Sequence, residues 1–137
     1  MDDIEEILWN SRTVAVVGAS PKEDRPSYRV FSYLKSQGYD VIPVNPACSE
    51  VLGETSYPDL LSLPRPVDVV DIFRRSEDVP PIVEQAIQIK AKVVWMQEGI
   101  VNEAAAQRAW QAGLKVVMDH CMRKEHLRLK EPKKDRR

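Results

Sequence analysis

Cysteine and histidine are nearly missing from this sequence: Cys48, Cys121, His120 and His126 are all it has of either in 137 residues. Their spacing fits no metal-ligand pattern, and two thiols do not make a disulfide framework. A reduced, cytoplasmic setting is therefore expected. Long apolar runs are also missing. A run such as Val14 to Val17 is far too short to span a bilayer. The start, with Asp2, Asp3, Glu5 and Glu6, is acidic where a signal peptide would be basic and then apolar, so no signal peptide is expected. An excess of one charge is absent too. The formal net charge is -1, which argues against a nucleic acid or a membrane surface as the main partner. Glycine is sparse, with five in the chain, and neither G-x-G-x-x-G nor a Gly-Lys-Ser/Thr phosphate loop occurs.

What is present is ordinary globular composition, 43% apolar and 30% charged, at the length of one domain. Short β-branched runs alternate with stretches of helical period. The strand candidates are Thr13 to Val17, Asp40 to Val44, Val67 to Phe73, Lys92 to Gln97 and Lys115 to Met118. Runs apolar on both faces suit strands covered by helices on both sides. Between them, Tyr28 to Gln37 carries Val30, Phe31 and Leu34 on one face and stops at Gly38. Val79, Ile82, Val83, Ala86 and Ile87 follow the helical spacing most clearly, with Ser76 as the expected N-cap. Asn102 is expected to cap a helix burying Ala106, Ala109 and Trp110 and ending at Gly113. A further helix is expected over Asp3 to Trp9. A capping box at Ser56 to Asp59 and a brief strand near Glu54 are weaker signals. The expected fold is a single-domain, Rossmann-like α/β unit over residues 1–130. It has about five parallel strands, doubly wound, with helices on both faces, and a basic tail follows at 131–137.

On such a sheet, ligands sit outside the carboxyl ends of the strands, near the point where the strand order reverses. After the first strand the chain reads Gly18-Ala19-Ser20-Pro21-Lys22-Glu23-Asp24-Arg25-Pro26-Ser27. Gly18 permits a sharp turn and a close ligand. Ser20 offers a hydroxyl and Arg25 a guanidinium fork. Ser27 stands where free helix N–H groups can receive an anion. These make a phosphate cradle, the alternative being a plain surface loop. The second strand ends at Val44-Asn45-Pro46 without the carboxylate that holds the ribose of NAD, although Asn45-Pro46 serves equally as a turn. At the third strand's end, Phe73 is suited to cover an adenine or an aliphatic arm and Arg74 to reach a phosphate. The alternatives are a core phenylalanine and a solvated arginine.

Taken in order, Gly18-Ala19-Ser20, Arg25-Pro26-Ser27, Gly38-Tyr39, Pro43 to Pro46, Gly53, Val67-Asp68 through Arg74, Val94-Trp95 with Gln97 and Gly99, Ala112 to Leu114, and Cys121 with Glu125-His126 resemble one family. The resemblance is to the small CoA-binding proteins of the YccU-like type, related to the CoA-binding domain of the succinyl-CoA synthetase α subunit. It runs from about residue 4 to residue 129. It implies coenzyme A or an acyl-CoA as ligand, with the diphosphate at Gly18, Ala19, Ser20, Arg25, Pro26 and Ser27. It implies Lys22 near the ribose phosphate, and adenosine or pantetheine contacts at Val44, Asn45, Pro46, Phe73 and Arg74. Gln97 and Gly99 would then lie near the pantetheine arm.

No catalytic residue is assigned. In the synthetases the chemistry needs a histidine on a second domain, and neither His120 nor His126 takes that role. Neighbours such as His120 and Cys121 on an extended segment point to opposite sides and make a poor catalytic pair. Cys121 reads as a packing residue, Trp95 and Trp110 as core, and Asp119 and Glu98 as caps. Two other functions stand beside non-catalytic CoA binding: an NAD(P)-dependent oxidoreductase-like protein, and an acyl-CoA-responsive regulatory protein. The latter would act through a protein partner or a second copy of the chain.

Overall fold

The computed structural model describes residues 3–130. The proposed tail at 131–137 lies outside the described residues. Helix α1, Ile4–Asn10, starts at Asp3, whose carboxylate accepts from the Glu6 amide. Strand β1, Thr13–Val17, leads to helix α2, Pro26–Ser36, and then to strand β2, Asp40–Val44. A small antiparallel hairpin follows, β3 (Glu50–Val51) with β4 (Glu54–Thr55). A 3-10 turn at Leu60–Ser62 precedes strand β5, Val69–Ile72. Helix α3 (Val79–Gln88), strand β6 (Val93–Met96), helix α4 (Glu103–Gln111), strand β7 (Lys115–Val117) and helix α5 (Met122–Lys130) complete the order.

The main sheet is parallel throughout, in the order β2-β1-β5-β6-β7. Alternate strand residues feed two cores, as the period of two requires. Ala15, Val17, Ile42, Val70, Ile72, Val94 and Met96 pack with α3, α4 and Leu60. Val14, Val16, Val41, Val69, Val93 and Trp95 pack with α1, α2 and α5. The expectation of a Rossmann-like α/β unit with helices on both faces is met.

β2 is an edge strand that carries Pro43, a residue that edges tolerate because it lacks an N–H. Its carbonyl accepts from the Tyr57 amide (3.1 Å), and the Asn45 amide donates to the Tyr57 carbonyl (2.8 Å).

Three local expectations need correction. Trp110 is 38% exposed, because on α4 the buried stripe is Ala105, Ala106 and Ala109, and the indole falls to its side. Ser76 does not cap α3. It opens a 3-10 turn, and its hydroxyl and carbonyl instead accept from the Val101 amide and the Asn102 side chain. The cap before Leu60 is Asp59, whose carboxylate accepts from the Ser62 amide, and not Ser56. Asn102 does cap α4, accepting from the Ala105 amide.

Candidate functional site

The chain leaves β1 toward β2 on one side and returns past β1 to β5 on the other. The strand order therefore reverses between β1 and β5, where such sheets hold ligands. Gly18 stands at that point with φ +88. A Cβ on it would lie 3.1 Å from the Phe73 carbonyl oxygen and 3.2 Å from Arg74 Cδ. The loop after β1 and the loop after β5 thus touch through a residue that has no side chain. The Gly18 amide donates to the Val44 carbonyl (2.9 Å) and the Phe73 amide to the Val17 carbonyl (2.8 Å), so the three strand ends are laced together.

Asn45 ties the second strand to the same loop. Its Nδ2 donates to the carbonyl of the fully buried Ala19 (2.7 Å), while its Oδ1 accepts from the Ala47 amide (2.8 Å). The residue read as a neutral strand end is therefore also a brace, which explains an amide where a carboxylate could not donate. Ser20 Oγ accepts from the Lys22 amide (3.1 Å) and shapes the start of an exposed stretch running from Pro21 to Pro26. Arg25 occupies the cap position of α2 without a side-chain cap bond, Pro26 is the first helical residue, and Ser27 is buried in the first turn. In that turn the Tyr28 and Arg29 amides donate to the Arg25 carbonyl (3.0 and 3.3 Å), Pro26 has no N–H, and the loop before it bears Lys22 and Arg25 beside Glu23 and Asp24.

Val17, Val44, Pro46, Leu60, Arg74 and Ile82 line a depression of about 300 Å³ on the α3 side of this edge. Arg74 stands at its rim, 3.5 Å from Asp78. Leu60 and Ile82 were not anticipated. They come from the turn after the hairpin and the first turn of α3, and only the strand order brings them to Val44. Phe73 is half-buried against the core on the opposite, α2 side.

Gln97 and Gly99 are occupied by the fold itself. Gln97 is buried, with Oε1 accepting from the Met122 amide at the start of α5 (3.1 Å). The Gly99 amide donates to Asp119 (2.7 Å), and Glu98 pairs with Lys124. Cys121 packs in the core beside α5, Trp95 Nε1 donates to the His120 carbonyl, and His120 Nδ1 meets the Met118 carbonyl. No group of three or more metal-ligating side chains occurs among the described residues.

One buried group was passed over in the sequence. Asp71, inside β5, is 0% exposed, and neither carboxyl oxygen has a hydrogen-bond partner among the described residues. Burial pushes its carboxyl well above the ordinary range.

A parallel sheet of this order, with a left-handed glycine at its reversal point, defines a Rossmann-like α/β domain. The chain belongs to the CoA binding domain family, whose model matches residues 12–127. It is 41% identical over 124 residues to the uncharacterized protein YneT of Bacillus subtilis, covering 90% of this chain and 92% of that one. It is 30% identical to the ADP-forming acetate–CoA ligase I of Archaeoglobus fulgidus, over 85% of this chain but only 18% of the ligase. A solved structure, a hypothetical protein from Pyrococcus horikoshii, superposes with a TM-score of 0.90 at 47% identity, over 93% of this chain and 89% of that one. Among the described residues no helix is long and apolar enough to cross a membrane.

Proposed function

We propose that this chain binds coenzyme A or an acyl-CoA, with the ligand's diphosphate at the loop from Gly18 to Ser27. The observation that carries this reading is Gly18 pressed against Phe73 and Arg74 at the reversal point, in a chain of the CoA binding domain family. A side chain at Gly18 would fill the space where the β1 and β5 loops meet. In this reading Arg25 is the principal phosphate cation and Lys22 serves the ribose phosphate. Ala19, Ser20, Pro26 and Ser27 shape the cradle. Val44, Asn45, Pro46, Phe73 and Arg74 form the adjoining wall for adenosine or pantetheine. Gln97 and Gly99 lie farther along the same edge, toward the pantetheine arm, where Gln97 also ties the end of β6 to the start of α5 and Gly99 is tied to Asp119.

The ligase relative is several times longer than the stretch it shares with this chain. The proposed function is confined to binding CoA or an acyl-CoA, and the ligase's own activity is not carried over. Calorimetric titration tests it: CoA should bind saturably and be displaced by 3′-phospho-ADP. Arg25→Ala should weaken binding by about 1.5–3 kcal/mol, the usual worth of a charge-assisted hydrogen bond. Absence of heat with CoA, acetyl-CoA and longer acyl-CoA would refute the proposal. An unchanged Kd in Arg25→Ala would remove that residue from the cradle.

A further inference from the structure

At the opposite edge of the sheet lies a second opening, of about 330 Å³, between α1, the end of α2 and α5. Its walls include Trp9, Tyr39 and His126. The Trp9 indole is 54% exposed, unusual for so large an apolar surface, while the His126 ring is buried. His126 is held by edge-to-face contacts with Trp9, Tyr33 and Tyr39, at centroid distances of 5.5, 5.4 and 5.8 Å. Its Nδ1 is engaged by the Tyr33 hydroxyl at 2.6 Å, and the Tyr39 hydroxyl is spent on the Leu8 carbonyl. Nε2 of His126 has no partner among the described residues.

The polar lining has one sign. Arg12 lines the opening, and no carboxylate among the described residues pairs with its guanidinium; its backbone amide, not its side chain, is what Asp68 accepts from. Lys130 stands beside the opening on Gln37 Oε1. No aspartate or glutamate lines it. A half-exposed indole, a fixed phenol ring and an unpaired guanidinium together suit a flat ring bearing an anionic group, since aromatic faces stack and guanidinium forks pair with carboxylates.

We propose that this opening is a second ligand site, for a small aromatic carboxylate. The ring lies against Trp9 and Tyr39, and the carboxylate is paired with Arg12. The site is independent of the CoA reading, because it lies at the amino ends of the strands and shares no residue with the Gly18 to Ser27 loop.

The test is titration of the full chain with 2-naphthoate, followed by amide and indole chemical shifts. Saturable shifts are expected at the Trp9 indole and Gly38 and not at Gly18 or Ser20. Arg12→Gln keeps the backbone amide that Asp68 uses and should weaken 2-naphthoate about tenfold, the loss of one charge-assisted contact. The neutral analogue 2-naphthylmethanol should bind at least as poorly to the unaltered protein. Equal affinity for the alcohol, an unaltered Kd in Arg12→Gln with the fold intact, or shifts that do not saturate at millimolar 2-naphthoate would each overturn the proposal.

Discussion

Replacing Asp71 is expected to stabilise the protein, and increasingly so as pH rises. The side chain lies in the central strand, on the face that carries Val69, with Val16 and Trp95 beside it in register. Both oxygens are shut off from solvent and unpaired. An unsatisfied buried polar group costs about 1–3 kcal/mol, and a bare buried charge costs more, so the folded protein keeps this acid protonated. Unfolded chains ionise it near pH 4. Its folded pKa is raised, so above that pH the folded state holds one more proton than the unfolded state. Stability is therefore greatest below the unfolded value and falls as pH climbs toward the raised one. The slope for one proton is about 1.4 kcal/mol per pH unit. Asp71→Asn has nearly the same shape and no ionisation, and Asp71→Val also removes the unpaired polar atoms. Urea unfolding of wild type and both variants at pH 5 and pH 7 measures the effect. The advantage of each variant should grow between the two by up to about 2.7 kcal/mol, two units of that slope. A difference that does not change with pH would mean that the carboxyl ionises normally, and the reasoning would fail.

Other outcomes follow from the loops. Gly18→Ala forces a left-handed residue, costing about 1–2 kcal/mol, and sets its Cβ against the Phe73 carbonyl. Gly38→Ala meets nothing within 4 Å, so unfolding experiments should show the smaller loss there. Asn45→Ala strands the buried Ala19 carbonyl, and a loss of about 1–3 kcal/mol in stability together with weaker CoA binding is expected. Unchanged CoA affinity in a folded Asn45→Ala would show that the brace does not shape the cradle. For His126, burial and then Lys130 lower the pKa. The unfolded state therefore takes up the proton first, and stability should fall as pH drops below the ordinary histidine range. His126→Phe should flatten that part of the stability curve.

Much of the architecture is legible from periodicity. β1 and β2 begin and end where the apolar runs do, because Gly18 and Asn45-Pro46 terminate them with backbone chemistry visible in the sequence. β5, β6 and β7 are shorter than the runs read from the sequence, although Phe73 and Gln97, just past β5 and β6, still donate their amides to the neighbouring strands. The glycine and asparagine of the candidate site could be read as turn formers. That they grip one another's loops could not, because this depends on the order β2-β1-β5 and not on any local signal. Ser76 and Trp110 were misplaced for a related reason. Each has a plausible local role that its surroundings displace: Ser76 is taken by Val101 and Asn102, and Trp110 yields the buried face of α4 to Ala105, Ala106 and Ala109. Asp71 was hidden by its setting, one acid in an apolar run that otherwise reads as core.

Pro43 has a consequence for how copies of this chain meet. It removes an N–H from the outer rim of β2, and Tyr57 takes both the Pro43 carbonyl and the Asn45 amide. An incoming strand therefore finds no uninterrupted row of donors and acceptors there, and β7 offers only three residues at the other rim. Stacking of sheets edge to edge, the usual beginning of an insoluble fibre, is blocked on the longer rim by the segment that also leads into the candidate site.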